Sequence, residues 1–583
     1  MPKPKSIRLS KDLVIALIIF AAALSVRLVY LYQISDTLTF LSPTIDSGTY
    51  DRAARRLIAD GVMEEPFFWQ SFFYPFFLSR LYYFTGSSIV VAKLFGVAVG
   101  SATSMLVYFL GKSLSSRTTG VIAALIVAFY GPLIFFEAEL MATGWAAFWS
   151  VVLIGLLLKA AKPQTTRPIY LLTGLCSGLA VITRPSFVPF AVAAGTWLIS
   201  KVWRGDSAHK TAAAKISLFV CGAVIIPALV GGLSYIETGS FRFLPESGPL
   251  NLYIGNNPDA EHTVTLRPGR EWNQVTALPY IHGIEDKDRH PVFFMQQFLH
   301  YVKNDPGDYL KGLLYKTIQF TSSREIPRNF DVYLNRKFSS LLGVLTFKAG
   351  RFGFPFGLLL PFAILGLVLN AKRIPVPVFL FLILHPLSII FVFVCARYRA
   401  PVIPVLAVAA AFAVEKAVQF FRQRRFRALC LLSSVVLVIA AASSLAGPFG
   451  PEKFNYEAEM YYLAAFAPYK NDDFEKADEL LSKAIELKPD YADAYILRGT
   501  IYSKAGRTPL AVECLSKAIE LAPDFYPGRY RLAENLIKLG QPELAAEQLR
   551  IALADSQRQN NYFMSAAIKS LLDEVSDPNR RQN

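Results

Sequence analysis

Thr44-Ile-Asp-Ser-Gly-Thr-Tyr-Asp-Arg-Ala-Ala-Arg-Arg-Leu57 stands just beyond an apolar run, Asp12 to Ile34, that is long enough to span a bilayer. Asp46 therefore emerges at the far surface, close to the lipid headgroups. Tyr50, Ala53, Ala54 and Leu57 recur at helical spacing, which places Asp46 near a helix N-terminus, where a carboxylate is favoured. Two readings of Asp46 stay open on these residues: a helix cap, or a functional carboxylate presented at the membrane edge.

Outward from that stretch, composition sets the class. Of 583 residues, 53% are hydrophobic and 18% charged, with mean hydropathy +0.36, which points to a polytopic membrane protein and not a soluble one. The net charge of +16 does not indicate nucleic acid. Twenty Lys and Arg, against the single acid Asp206, lie in the short loops 1–11, 112–117, 159–167, 201–215, 372–373 and 416–427. That is the positive-inside pattern. Lys3, Lys5, Arg8 and Lys11 place the N-terminus in the cytoplasm, and the first apolar run reads as an uncleaved signal anchor. Arg27, within it, is expected to snorkel to the outer surface.

The chain is then expected outside over 35–88, where the aromatic stretch Phe67-Phe-Trp-Gln-Ser-Phe-Phe-Tyr-Pro-Phe-Phe-Leu78 suits a helix in the interface. Spans are predicted at about 89–111, 119–136 and 141–158. The turn Phe136-Glu-Ala-Glu-Leu140 returns Glu137 and Glu139 to the face of Asp46, as functional carboxylates or as a wet loop. Pro168–Ser200 is broken at Arg184-Pro185 and flanked by basic loops, so it should enter and return, with Arg184 in a protein-lined cavity as a candidate anion ligand.

A span at about 216–235 leads to a large outer segment, 237–351, in which Gly248–Asp259 reads as a short strand entering a turn. Its histidines, His262, His282, His290 and His300, lack metal-ligand spacing, and Asp286-Lys-Asp288 is too short a match to a metal-binding DxD to carry weight. Further spans follow at about 352–371, 374–394, 400–415 and 428–446. Between two of them stands Cys395-Ala-Arg-Tyr-Arg-Ala-Pro-Val-Ile-Pro404, whose Arg397 and Arg399 are a fork for phosphate or a pair of interfacial anchors. The expectation is a mainly α polytopic helix bundle of about 11 crossings, N-terminus inside and C-terminus outside, over residues 1–447.

Residues 448–583 repeat with period 34: Lys483-Ala-Ile-Glu-Leu-Lys-Pro-Asp490 returns as Lys517-Ala-Ile-Glu-Leu-Ala-Pro-Asp524, and Ala477/Ala511/Ala545, Leu481/Leu515/Leu549 and Ala484/Ala518/Ala552 keep step. These are tetratricopeptide repeats, three copies that form an α-solenoid with a face for a protein partner.

Taken together, Asp46 with Tyr50, Phe135-Phe-Glu137, Thr183-Arg-Pro185, Gly255-Asn-Asn-Pro258, Glu325-Ile-Pro-Arg-Asn329 and Arg397-Tyr-Arg-Ala-Pro401 resemble the GT-C glycosyltransferases, in particular the dolichyl-phosphate-mannose protein mannosyltransferase-like group, over about residues 10–445. The resemblance implies inverting transfer of one sugar from a polyprenyl-phosphate carrier to a hydroxyl of a protein, lipid or glycan, at the outer face of the inner membrane. It makes Asp46 the general base, Glu137 and Glu139 supporting acids, and Arg397, Arg399 and Arg184 the phosphate ligands. Tyr50, Asn256, Asn257 and Glu325 are further site candidates. The family often carries a second acid beside the loop carboxylate; here it is Ser47, so a divalent metal on Asp46, Glu137 and Glu139 stays open. Two rivals remain: an O-antigen ligase or oligosaccharyltransferase using a pyrophosphate carrier, and a non-catalytic anchor that presents the repeats.

Overall fold

The structure is a computed structural model and describes residues 10–61, 63, 68–205, 209–559 and 561–576. Lys3, Lys5 and Arg8 of the first basic stretch, Phe67 of the aromatic stretch and Asp206 lie outside these residues. The chain folds into two compact units, one comprising Met1–Val264 and Phe298–Glu452, the other Thr265–Gln297 and Lys453–Asn583.

The first unit begins with α1 (Lys11–Ile34), α2 (Ile45–Ala59), α3 (Phe73–Thr85), α4 (Ile89–Leu114), α5 (Arg117–Ala128), α6 (Gly131–Glu137), α7 (Thr143–Ala160), α8 (Arg167–Thr183), α9 (Val188–Gly205), α10 (His209–Thr238) and α11 (Ser247–Gly255). Apolar helices Phe356–Leu369, Val376–Ile390, Ile403–Arg422 and Phe426–Leu445 follow later. Among the described residues seven helices are long and apolar enough to cross a membrane, eight if the bent pair α5–α6 is one span, and three more are apolar but shorter. This is a multi-pass membrane protein. In lipid, apolar surface gives helices no reason to associate, so close packing of small residues holds them together. A Cβ on Gly174 of α8 would strike the Phe219 carbonyl of α10, and Gly366 meets the Ala409 carbonyl of Ile403–Arg422 in the same way.

The bend between α5 and α6, 59°, has a local cause. Pro132 has no N–H to offer the Ala128 carbonyl one turn back, so the ladder must break there. Arg27 fills the gap. Its Nη1 donates to the Ala128 carbonyl (3.0 Å) and to that of Ala23 (3.1 Å), while Nε donates to Glu137 Oε2 (2.6 Å). Both side chains are fully buried, so Arg27 does not snorkel as expected. An inward route with a carboxylate and an orphaned carbonyl at its end satisfies the guanidinium better than a reach along the helix.

A second expectation also fails. Gly248–Gly255 lies in α11 and not in a strand, with the expected turn following at 256–259, because Pro249 pre-sets the first turn and Leu250 and Ile254, one helical turn apart, are buried (2% and 0% exposed). Leu250-Asn-Leu-Tyr-Ile254 is short enough to fit either periodicity, and burial decides.

In the second unit the repeats pair Ala492–Lys504 with Thr508–Leu521, and Tyr526–Lys538 with Pro542–Arg558, following Tyr456–Ala464 and Phe474–Leu487. The period-34 positions are its core: Ala477, Ala511 and Ala545, and Leu481, Leu515 and Leu549, are all 0% exposed.

Candidate functional site

α2 starts abruptly. Thr44 is its cap residue and makes no side-chain cap bond, and Ile45 is held at φ +50°, a conformation that costs a β-branched residue on the order of 1–3 kcal/mol. Asp46 therefore lies inside the first turn and not at the cap. Its carboxylate is committed elsewhere. Arg397 Nη1 donates to Oδ2 in an ion pair, Asn329 Nδ2 donates to the same oxygen (2.7 Å), and Gln70 Nε2 lies 3.5 Å from Oδ1. Tyr50 Oη, one turn along α2, donates to Gln70 Oε1 (3.4 Å). Burial opposes the charged carboxylate, but the Arg397 guanidinium and Asn329 outweigh it and hold the Asp46 carboxyl below its usual range.

Arg397 and Arg184 share one aromatic ring. The first lies 5.0 Å and the second 5.1 Å from the centre of Tyr398, and Arg184 Nη2 donates to Thr143 Oγ1 (2.7 Å). Arg184 reaches this point because α8 ends at Thr183 and the chain turns through Pro185–Phe187 before α9. Two guanidiniums around one ring, with the single carboxylate of Asp46 paired to one of them, leave an excess positive charge that suits an anion.

Arg399 does not join them. It is 1% exposed, donates to Glu325 Oε2 (2.7 Å) and to the carbonyls of Phe320, Ser322 and Arg324, and stacks on Phe356. Glu325 also accepts from Tyr130 Oη (3.1 Å). This buried pair fixes the loop that ends in Asn329, so its connection to Asp46 is through positioning. Asn256 and Asn257 are fasteners too. Asn256 bonds the carbonyls of Leu252 and Phe391 and accepts from buried Lys316 (2.6 Å), while Asn257 binds Tyr253 and Thr263.

Of the two expected acids, Glu137 belongs to Arg27, in a cradle where a Cβ on Gly100 would overlap its carboxylate. Glu139 is the nearer to the site: the Ser47 hydroxyl approaches its Oε2 (3.4 Å), and burial raises its carboxyl above the ordinary value against the pull of Lys93 and Ser47. Among the described residues no three His, Cys, Asp or Glu side chains group as metal ligands. With Asp46 held by Arg397 and Glu137 by Arg27, the three acids do not assemble a cation site. Sequence reasoning passed over Gln70 and Asn329. Gln70 was visible as the one amide inside an aromatic stretch, and Asn329 as the last residue of Glu325–Asn329.

Tetratricopeptide repeat models match residues 458–491 and 492–525. Comparison with curated proteins gives no match. Among solved structures, the oligosaccharyltransferase of Archaeoglobus fulgidus in the apo form is 15% identical with TM-score 0.41, covering 76% of this chain and 57% of that one. The archaeal oligosaccharyltransferase AglB from the same organism, in complex with an inhibitory peptide and a dolichol-phosphate, is 17% identical with TM-score 0.40, covering 74% and 54%. A third structure, with Zn and sulfate, is 16% identical with TM-score 0.37, covering 73% and 53%. The chain thus spans little more than half the length of the structures it matches.

Proposed function

We propose that this chain is a membrane glycosyltransferase that moves one sugar from a polyprenyl-phosphate carrier to an acceptor hydroxyl of a protein, lipid or glycan, with inversion. The observation that carries the reading is the meeting of Asp46 with Arg397, Asn329 and Gln70, beside Arg184 and Tyr398, from segments far apart in sequence. A base next to a pair of cations is what displacement of a phosphate by a hydroxyl requires. The acceptor oxygen forms a bond to the anomeric carbon as the carbon–oxygen bond to the carrier phosphate breaks. Asp46 takes the acceptor's proton, and the electron pair leaves on the phosphate, where Arg397 and Arg184 disperse its charge. Arg397 pairs with Asp46 in the free protein and turns part of its fork to the phosphate when the donor arrives.

The basic loops set the orientation in this reading: about 11 crossings, N-terminus in the cytoplasm, site and repeats on the outer side of the inner membrane. A lipid monophosphate donor needs no nucleotide on that side. Single-turnover transfer by the purified chain tests the assignment, with a polyprenyl-monophosphate sugar and, separately, a pyrophosphate-linked glycan. Transfer from the monophosphate alone is the expected result. Transfer only from the pyrophosphate would assign the chain to oligosaccharide transfer, and transfer from neither would leave the repeat-presenting anchor.

A further inference from the structure

The tetratricopeptide unit holds a ligand of its own making. Thr265–Gln297 belongs to this unit although it lies far ahead of the repeats in sequence, and its first residues, Leu266-Arg-Pro-Gly-Arg270, are irregular up to the short helix that starts at Arg270. Arg267 is bound as a guest would be. Its Nε donates to Glu459 Oε1 (2.8 Å) and its Nη2 to Oε2, a two-pronged ion pair in which the side chains are 6% and 3% exposed. Its guanidinium lies 4.8 Å from the ring centre of Tyr456 and 5.0 Å from that of Phe454. Asp493 reads the backbone three residues on: Oδ1 accepts the Arg270 N–H (3.1 Å), and Gly269, at φ +121°, brings the chain so near that a Cβ there would stand 3.0 Å from the same oxygen. Asp524 then takes Gln274 Nε2 (3.0 Å) and faces the Arg270 guanidinium at 3.6 Å.

The two main readers are both carboxylates at one repeat position. Glu459 and Asp493 are each the second residue of a matched repeat, 458–491 and 492–525. These two repeats therefore each offer a carboxylate, and the segment answers them with a cationic side chain and then a glycine-exposed amide. Nothing in transfer chemistry uses this set.

We propose that this face of the repeats is a receptor for an irregular polypeptide segment of the form Arg-X-Gly, filled at rest by Arg267–Gly269 of the same chain, and that a partner protein docks by presenting that chemistry in its place. The resting segment is covalently attached and competes at an effective concentration on the order of millimolar. An incoming segment must therefore exceed it or arrive when it is withdrawn.

The test uses the full chain in detergent and a fluorescent synthetic peptide with the sequence of Thr265–Gln274. Arg267→Ala should bind this peptide at least tenfold more tightly than the unaltered chain, because the pocket is vacated. Adding Glu459→Gln should abolish the gain, and a peptide with Ala in place of its first Arg should bind to neither. Because Arg267→Ala leaves Glu459 buried without its partner, a second measurement is made on the unaltered chain: excess peptide should speed hydrogen exchange at the Arg270 amide, and the Ala-bearing peptide should not. Equal peptide affinity with and without Arg267, binding that survives Glu459→Gln, or an Arg270 amide indifferent to peptide would each overturn the proposal.

Discussion

Replacing Asp46 with Asn separates the base from everything else the residue does. The carboxylate accepts from Arg397, from Asn329 at 2.7 Å and from Gln70 at 3.5 Å. An amide oxygen in the place of Oδ2 can still accept from Asn329 and Arg397, but the amide nitrogen then faces the donor Gln70 Nε2, and the bond to Arg397 loses its anionic partner. With side chains only 16% and 14% exposed, that bond contributes about 1.5–3 kcal/mol. The free protein should be destabilised by roughly this amount, visible as a lower Tm. The same release frees Arg397 for the donor phosphate, so donor affinity should hold or tighten, by up to about tenfold if 1.4 kcal/mol is returned. Turnover should fall by about 10²–10⁴, the ordinary worth of a general base. The stability difference has a defined pH window. Because the folded Asp46 carboxyl sits below its unfolded value of about 3.9, its contribution is complete above that pH and is lost as pH falls through the lower folded value. The gap in Tm between variant and wild type should thus stay constant from pH 8 to about 5 and close only in acid. Single-turnover transfer, equilibrium donor binding and thermal unfolding of one preparation measure all three. More than about a tenth of wild-type turnover in Asp46→Asn would refute the assignment of the base, and would move the search to Glu139.

Arg397→Lys should weaken donor binding by about tenfold or more, because an ammonium keeps the charge but loses the planar fork; Arg399→Lys should lower Tm with little change in donor affinity, and equal losses in affinity would overturn the separation drawn between them. Arg27→Met alone should cost about 3–5 kcal/mol by leaving Glu137 charged and buried, whereas Arg27→Met with Glu137→Leu should recover much of it, read as Tm in detergent; a double variant no better than the single one would contradict that account. A reporter joined after Asn583 should be active only outside the cytoplasm, and cytoplasmic activity would mean that Pro168–Ser200 crosses once.

The readable parts were those where one physical rule acts alone. Period 34 needs no partner to be seen, and its alanines and leucines are the buried ones. The apolar runs gave the helices, and the break at Arg184-Pro185 is where α8 ends. What escaped notice depended on partners distant in sequence. Arg27 looked stranded because Glu137 and the carbonyl orphaned by Pro132 lie more than a hundred residues away. Arg397 and Arg399 looked equivalent, two residues apart, yet one faces Asp46 and the other Glu325. Position in a turn fixes such directions, and spacing alone does not. The Asp46 partners Gln70 and Asn329 carry uncharged amides, which no charge or hydropathy pattern brings forward.

The placement of Thr265–Gln297 with the repeats has a consequence for how the protein is made. That segment leaves the ribosome before the helices Phe356–Leu369 to Phe426–Leu445, and Glu459 and Asp493 follow only after all of them. At about 5–20 residues per second, Arg267 waits on the order of ten seconds or more for its carboxylate. During that interval the carboxylates that will bind it have not yet been made. Closing so long a loop then costs on the order of 4–5 kcal/mol in chain entropy, which the two-pronged ion pair and its aromatic walls must offset together with the rest of the interface. Biogenesis of the second unit is therefore a late, long-range closure.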